Sequence, residues 1–321
     1  MKRLLGLLEN HSAALLVFGL VIAFGSSAPA TFLTGSNFEN IARQISLDAP
    51  MVFGQMVVLI AGGIDISVGS TMAMAASLAI GLQPFGTPVA VLGALGFGLG
   101  VGVVNGLLVT KGKIVAFVAT LGTMSLVRGL LLTYTGQASL VGIDPAFTFW
   151  GDGQIGPVPV SFLVVLTMLL GLYALLGHLR QGRNLYAIGG NKDAAFLGGV
   201  SVNKGLMLAF MLSGLMAAVS GVLVASRLNS ASVQLGADAP LMSISAALIG
   251  GASLFGGKGS IIAAFFGVLA LGILNNGMNL LGVPTYTQIA VRALILITIV
   301  VIDALATRLR RAELDNARIL E

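Results

Sequence analysis

The sequence predicts an all-α protein, a polytopic membrane helix bundle of about ten transmembrane helices that forms a single transmembrane domain over residues 1–321. Three observations predict it: too little charge for a water-facing surface, a succession of apolar runs of spanning length, and basic residues gathered on alternate connections. Only 9% of the residues are charged and 56% are hydrophobic, with mean hydropathy +0.99. A soluble domain carries about 25% charged residues. The 44 glycines fit the same reading, because glycine inside membrane helices lets two backbones approach closely.

A spanning helix needs about 20 apolar residues, and runs of that kind lie near 12–33, 40–61, 67–83, 87–110, 114–135, 159–179, 204–226, 239–256, 260–281 and 285–305. The first follows Lys2 and Arg3 and ends at Ala28-Pro29-Ala30, which has the form of a signal-peptide cleavage site. A polytopic chain keeps its first span as an anchor, and the span count is even only with it. The second and third runs are separated by Gly62-Gly63-Ile64-Asp65-Ile66-Ser67-Val68-Gly69-Ser70, and the eighth and ninth by the glycine-rich stretch 250–260. Both stretches are expected to be broken helices or re-entrant turns. In the fourth run Gly98, Gly102 and Gly106 are spaced four apart, which puts them on one face for tight helix packing.

With a cytoplasmic N-terminus and alternating spans, the cytoplasmic segments hold Lys2, Arg3, Lys111, Lys113, Arg180, Arg183, Lys192, Lys204, Lys258, Arg308, Arg310, Arg311 and Arg318. The long outer loop, about 136–158, holds Asp144 and Asp152 and no base. This positive-inside pattern places both termini in the cytoplasm. It also accounts for the basic pI near 9.8 as a topology signal rather than a nucleic-acid patch. The other four bases, Arg43, Arg128, Arg227 and Arg292, fall near or within spans, and Arg128 and Arg292 are expected to snorkel to the interface.

The chain carries a possible internal repeat. Asp48-Ala49-Pro50 precedes the first glycine pair and Asp238-Ala239-Pro240 the second. Transporters are often built from such repeats, with the route at their interface, although short Gly/Ala-rich matches also recur by chance.

No enzyme constellation is present. Cys is absent and His occurs twice, at His11 and His178, which excludes a thiol nucleophile and a His-rich metal site. Gly256-Gly257-Lys258-Gly259-Ser260 fails the phosphate-loop pattern, because Ala252 stands for its first glycine and Gly259 follows the lysine. If ATP drives this protein, another subunit binds it. The place for that subunit to grip is the basic segment of about 180–204, where Asn191 is placed to cap a short helix ended by Gly198 and Gly199. An interfacial helix resting on lipid headgroups is the alternative. Asp65, among glycines, is expected to hold backbone amides and fix a turn, or else to couple a proton. Asn105, Asn275, Asn276 and Asn279 lie in apolar surroundings, where they could line a pore for a polyhydroxylated solute or hydrogen-bond between helices.

Four stretches carry a resemblance to a known family. Gly62 to Ser70 resembles GGIDLSVGS, Gly182 to Val200 resembles GRxxYAIGGNxxAAxxxGV, Gly250 to Gly259 resembles GGxSLxGGKG, and Leu274 to Val283 resembles LNNGLNLLGV. These are patterns of the permease subunits of bacterial ATP-binding-cassette sugar importers, ribose-type branch, and the likeness runs from about Asn37 to Asp303. Ile66 and Met278 stand where that family often has Leu. The resemblance implies an inner-membrane permease translocating a ribose-like pentose or related sugar. It implies a second permease copy, identical or homologous, a cytoplasmic ATPase that holds the ATP and magnesium, and a periplasmic sugar-binding protein. It makes Gly182, Arg183, Ala187, Gly189, Gly190, Asn191, Ala194, Ala195 and Gly199 the ATPase-coupling loop. Gly62, Gly63, Asp65, Ser67, Gly69 and Ser70 become the signature turn. The competing reading is a proton- or sodium-coupled carrier, for which Asp48, Asp65 and Asp303 are the available acids.

Overall fold

The structure, a computed structural model, describes residues 2–298 together with 300 and 301. Asp303 and the basic cluster Arg308, Arg310, Arg311 and Arg318 lie outside the described residues. The chain folds as a helical bundle. In order come α1 (Lys2–Ser27), α2 (Pro29–Phe32), α3 (Gly35–Ile60), α4 (Val68–Gly81), α5 (Thr87–Thr110), α6 (Ala116–Thr135), α7 (Phe149–Asp152), α8 (Val160–His178), α9 (Arg180–Gly190), α10 (Lys192–Leu197), α11 (Val202–Leu228), α12 (Ala239–Ile249) and α13 (Ile261–Leu280), then α14 (Thr285–Thr298).

Among the described residues, α5, α6, α8, α11 and α13 are long and apolar enough to cross a membrane. With α1, α3 and α14 and the two short helices α4 and α12, they account for the ten predicted spans. At about 1.5 Å per residue, the 14 residues of α4 and 11 of α12 cover only part of a hydrocarbon layer about 30 Å thick. These are half-helices, each joined to a non-helical segment, at 61–67 and 250–260. The eighth span is accordingly shorter than its apolar run: the helix stops at Ile249 because Gly251 turns left-handed at φ 78°.

The fold is organised around α11. Its small residues admit neighbouring backbones on three sides. A Cβ on Gly214 would stand 2.2 Å from the Gly98 carbonyl oxygen of α5, and one on Gly221 2.2 Å from the Met72 carbonyl oxygen of α4. One on Gly54 of α3 would stand 2.9 Å from the Ser213 Cα. The face predicted from Gly98, Gly102 and Gly106 is the α5 side of this seam, since a Cβ on any of the three would collide with α11 within 2.5 Å. In a bilayer, where lipid is as apolar as leucine, such close packing is what holds helices together.

The two Asp-Ala-Pro triplets do different local work. In α3 the triplet is mid-helix; Pro50 supplies no N–H, and the next amide, Met51 N–H, donates instead to the Ser220 hydroxyl at 3.1 Å. In α12 the triplet opens the helix, with Asp238 before it and Pro240 in its first turn, where proline costs nothing. The helices that follow end alike. Gly62 N–H donates to Leu59 O and Gly63 N–H to Val58 O, both at 2.9 Å. Gly251 N–H donates to Leu248 O at 2.9 Å and Ala252 N–H to Ala247 O at 3.0 Å. Gly62 and Gly251 have φ of 77° and 78°, the left-handed cap that glycine adopts without strain. The half-helices also meet at their starts: a Cβ on Gly69 would lie 2.2 Å from the Gly236 carbonyl oxygen and 2.9 Å from Pro240 Cδ. Val68, Met72 and Ala239 share one buried cluster with Met51 and Ala217.

The two ends of the bundle differ. One gathers Lys111 and Lys113 between α5 and α6, the α9–α10 connection and Lys258. At the other, the 136–158 loop folds over the bundle. Leu140–Val141 (β1) pairs antiparallel with Ser230–Ala231 (β4), and Gln154–Ile155 (β2) with Val158–Pro159 (β3). Gln83 Oε1 accepts from Ile143 N–H at 2.7 Å and Asp144 N–H at 3.1 Å. Arg43 pairs with Glu39 at 2.7 Å and with Asp152 at 2.6 Å, so this base is held by acids. Arg128 instead reaches the Leu235 carbonyl at 3.4 Å and Arg292 that of Gln288 at 3.3 Å.

Candidate functional site: a helix connection seated on two helix breaks

Three of the four sequence stretches meet at the basic end. The 180–204 connection folds as two helices, α9 and α10. The first is an addition to what the sequence predicts. Gly182, Leu185 and Ile188 form its buried face, spaced three apart as an amphipathic helix requires, but the Gly189-Gly190 pair reads as a terminus and hides the helix. Gly189 is the closest point. A Cβ there would fall 1.8 Å from the Ile60 carbonyl oxygen, at the last turn of α3, and 2.5 Å from Gly257 N. Gly257 N–H itself donates to Ile60 O at 3.0 Å. A Cβ on Gly256 would lie 2.8 Å from both Gly189 O and Gly62 Cα, and one on Gly257 2.9 Å from Gly190 N. The end of α9 thus touches the break after α3 and the break after α12 at one glycine-lined point. Tyr186 secures the contact, its hydroxyl donating to Gly259 O at 2.9 Å, and burial pushes the phenol pKa up.

The helix after α9 is capped in the predicted way. Asn191 Oδ1 accepts from Asp193 N–H at 3.0 Å and Ala194 N–H at 2.9 Å, and Gly199 turns the chain out at φ 78°. Ala195 is buried, while Phe196 and Leu197, 70% and 85% exposed, project from the tip. A Cβ on Gly190 or on Gly199 would point into open space. Arg183 donates to the His178 carbonyl at 3.1 Å.

The signature turn holds a buried polar cluster. Asp65 Oδ1 accepts from Ser67 N–H at 2.9 Å and from the Ser67 hydroxyl at 2.6 Å, and Oδ2 from the Ser213 hydroxyl of α11 at 2.8 Å. Asn105 of α5 donates to Ser67 Oγ at 2.8 Å. Thr120 of α6 reaches the same turn: its hydroxyl accepts from Ile66 N–H at 3.2 Å and lies 3.2 Å from Ile64 O, besides 2.9 Å from Ala116 O of its own helix. Asp65 thus ties the start of α4 to the bundle hub. Ser213 and Thr120 were not singled out in the sequence, where nothing distinguishes them from serines and threonines that bond their own helix. Ser70 donates to Ser67 O at 3.0 Å.

The asparagines do not gather into one site. Asn105 belongs to the Asp65 cluster. Asn276 donates to Asn37 Oδ1 at 2.8 Å, and Asn279 Oδ1 accepts from Gln288 Nε2 at 2.7 Å. These are helix–helix bonds of α13 with α3 and α14. Asn275 is buried, and its Oδ1 has no hydrogen-bond partner among the described residues. No group of three or more His, Cys, Asp or Glu that could hold a metal occurs among the described residues.

The comparisons with known proteins agree in kind. The family model described as branched-chain amino acid transport system / permease component matches residues 37–300. The chain is 38% identical over 304 residues to the ribose import permease protein of Escherichia coli (strain K12), across 92% of this chain and 94% of that one. It is 37% identical over 302 residues to the ribose import permease protein of Bacillus subtilis (strain 168), across 93% and 94%. It is 36% identical over 296 residues to the D-allose transport system permease protein of Escherichia coli (strain K12), across 90% of each. No solved structure matches the chain.

Proposed function

This chain belongs to the branched-chain amino acid transport system / permease component family, and from that membership we propose that it is the membrane-spanning subunit of an ATP-binding-cassette importer for a monosaccharide, a ribose-like pentose or a related sugar. The observation that carries the mechanism is the seating of α9 on both helix breaks through Gly189. The sugar is supported by relatives whose names give ribose and D-allose. The chain is a multi-pass protein of the bacterial inner membrane, with its basic end in the cytoplasm by the positive-inside rule. It holds no cofactor of its own; ATP and magnesium sit on a partner ATPase.

The α9–α10 connection is the coupling element. Phe196 and Leu197 at its tip offer apolar surface to the ATPase. Movement of that tip is delivered through α9 to the ends of α3 and α12, the two places where the spans are already broken. Helices remain rigid while breaks absorb changes of φ and ψ, so a small displacement there re-aims the half-helices that meet at Gly69 and Gly236. ATP drives the switch only because the ATPase binds one arrangement more tightly than the other. Two such chains would enclose the route, and a periplasmic binding protein would deliver the sugar at the opposite end.

The test is ATP hydrolysis in proteoliposomes holding this chain with its genetically linked ATPase. Addition of the linked binding protein loaded with one sugar of a panel is expected to stimulate hydrolysis. Failure of every loaded binding protein, with uptake driven instead by a proton or sodium gradient, would refute the proposal. In the same assay Asn191→Ala removes the cap of α10, worth about 1 kcal/mol, and is expected to lower stimulated hydrolysis severalfold while the chain remains in the membrane at wild-type abundance.

A further inference from the structure

A cavity of about 430 Å³ opens at the basic end, beside the coupling helices and outside the glycine contact. Its floor is the signature turn at Gly62 to Ile64, and its walls are apolar, with Val115, Phe117 and Leu206 among them. Among the described residues two cations line it, Lys113 and Lys192, and no carboxylate does. Lys113 comes from the turn between α5 and α6, where it takes a left-handed conformation at φ 57°. Lys192 comes from the first residue of α10. The ion pairs found among the described residues involve Arg43 only, so neither ammonium group has an acid partner among the described residues. The apolar wall does not stop at the cavity: Val115, Val118 and Leu121 run from it along the exposed side of α6.

An unpaired pair of cations at the mouth, an apolar wall, and an apolar track leading from it along a spanning helix are complementary to an anionic amphiphile. We propose that this cavity binds the phosphodiester headgroup of an anionic phospholipid, between Lys113 and Lys192, with an acyl chain laid along α6. The volume suits a headgroup and the start of its chains rather than a whole lipid. Anionic lipids are enriched in the cytoplasmic leaflet, and basic pockets between membrane helices on that side bind their headgroups. The placement in that leaflet rests on the orientation proposed above, whereas the binding chemistry does not. A lipid so held would brace the α5–α6 turn against α10 and Leu254 of the second break.

The test uses the purified full-length chain in detergent, exchanged with phosphatidylglycerol or phosphatidylcholine and read by native mass spectrometry. Wild type is expected to retain phosphatidylglycerol in preference. Lys113→Gln and Lys192→Gln are each expected to weaken that retention about fivefold, and the double variant to abolish the preference. The arginine pair Lys113→Arg/Lys192→Arg should restore it. Lys111→Gln, in the same turn but outside the cavity lining, should leave it unchanged. Equal retention of the two lipids by wild type, or an undiminished preference in the double glutamine variant, would overturn the proposal. Displacement of phosphatidylglycerol by inorganic phosphate at equal concentration would also overturn it, in favour of a free-anion site. None of these outcomes depends on sugar transport.

Discussion

Gly189→Ala is expected to abolish coupled transport, whereas Gly190→Ala, one residue away, is expected to preserve it. The two substitutions add the same methyl group to the same helix. At Gly189 the methyl carbon falls 1.8 Å from the Ile60 carbonyl oxygen and 2.5 Å from Gly257 N; at Gly190 it meets no described residue beyond its own helix and chain neighbours within 4 Å. Both neighbours of Gly189 are backbone, so no side chain can rotate away, and α9 must lift off the two breaks. Overpacking of this kind costs about 1–3 kcal/mol and occasionally more. Placed at the glycine contact through which α9 meets the end of α3 and the 250–260 turn, that cost would separate the proposed coupling element from the two breaks. Stimulated ATP hydrolysis and sugar uptake should both fall at least about tenfold, with membrane abundance little changed because the spans themselves are untouched. Replacement of Gly190 by alanine even favours the helix, by up to about 1 kcal/mol. Wild-type uptake by Gly189→Ala would show that the contact transmits nothing.

That contrast marks how far the sequence alone reaches. The ten spans were legible because spanning length and basic-residue placement are properties of a segment and its flanks, and no long-range contact is needed to read them. The cap of α10 was legible for the same reason: Asn191, the following turn and Gly199 lie within one short stretch. The breaks at 61–67 and 250–260 could be placed but not given a shape, since a glycine pair signals a left-handed turn without saying what packs against it. What the sequence could not supply was the convergence. Gly62, Gly189 and Gly257 lie in three motifs far apart in the chain, and each motif reads alone as a turn. Their meeting is a tertiary fact, fixed by how α3, α8 and α13 position the segments between them. The same holds for the asparagines, which a sequence reading groups by type and the fold separates by partner.

Asp65 separates the two transport mechanisms, and the expected result is that Asp65→Ala is lost from the membrane while Asp65→Asn remains and still couples uptake to ATP. The Asp65 carboxyl group accepts from Ser67 N–H, the Ser67 hydroxyl and the Ser213 hydroxyl. The residue is fully buried. Alanine leaves the Ser67 amide and both hydroxyls facing no acceptor, at about 1–3 kcal/mol for each donor that finds no substitute. The turn that starts α4 then loses its tie to α11, and Asn105 loses the ordered Ser67 hydroxyl that it donates to. Asparagine keeps a carbonyl oxygen for the Ser67 amide and hydroxyl. Its amide donates toward Ser213, whose hydroxyl can accept as readily as donate. The turn is preserved, and only the ability to carry a proton is removed. A carrier driven by protons through Asp65 would behave in the opposite way: Asp65→Asn would insert normally and lose gradient-driven accumulation. Abundance by immunoblot, uptake with ATP, and uptake with an imposed gradient distinguish the cases in one set of vesicles. A well-inserted Asp65→Asn chain that no longer responds to ATP would require the carboxyl group to do more than hold the turn. In that event the Asp65–Ser67–Ser213–Asn105 cluster, rather than the glycine contact, would be the place to look for the step that ATP drives.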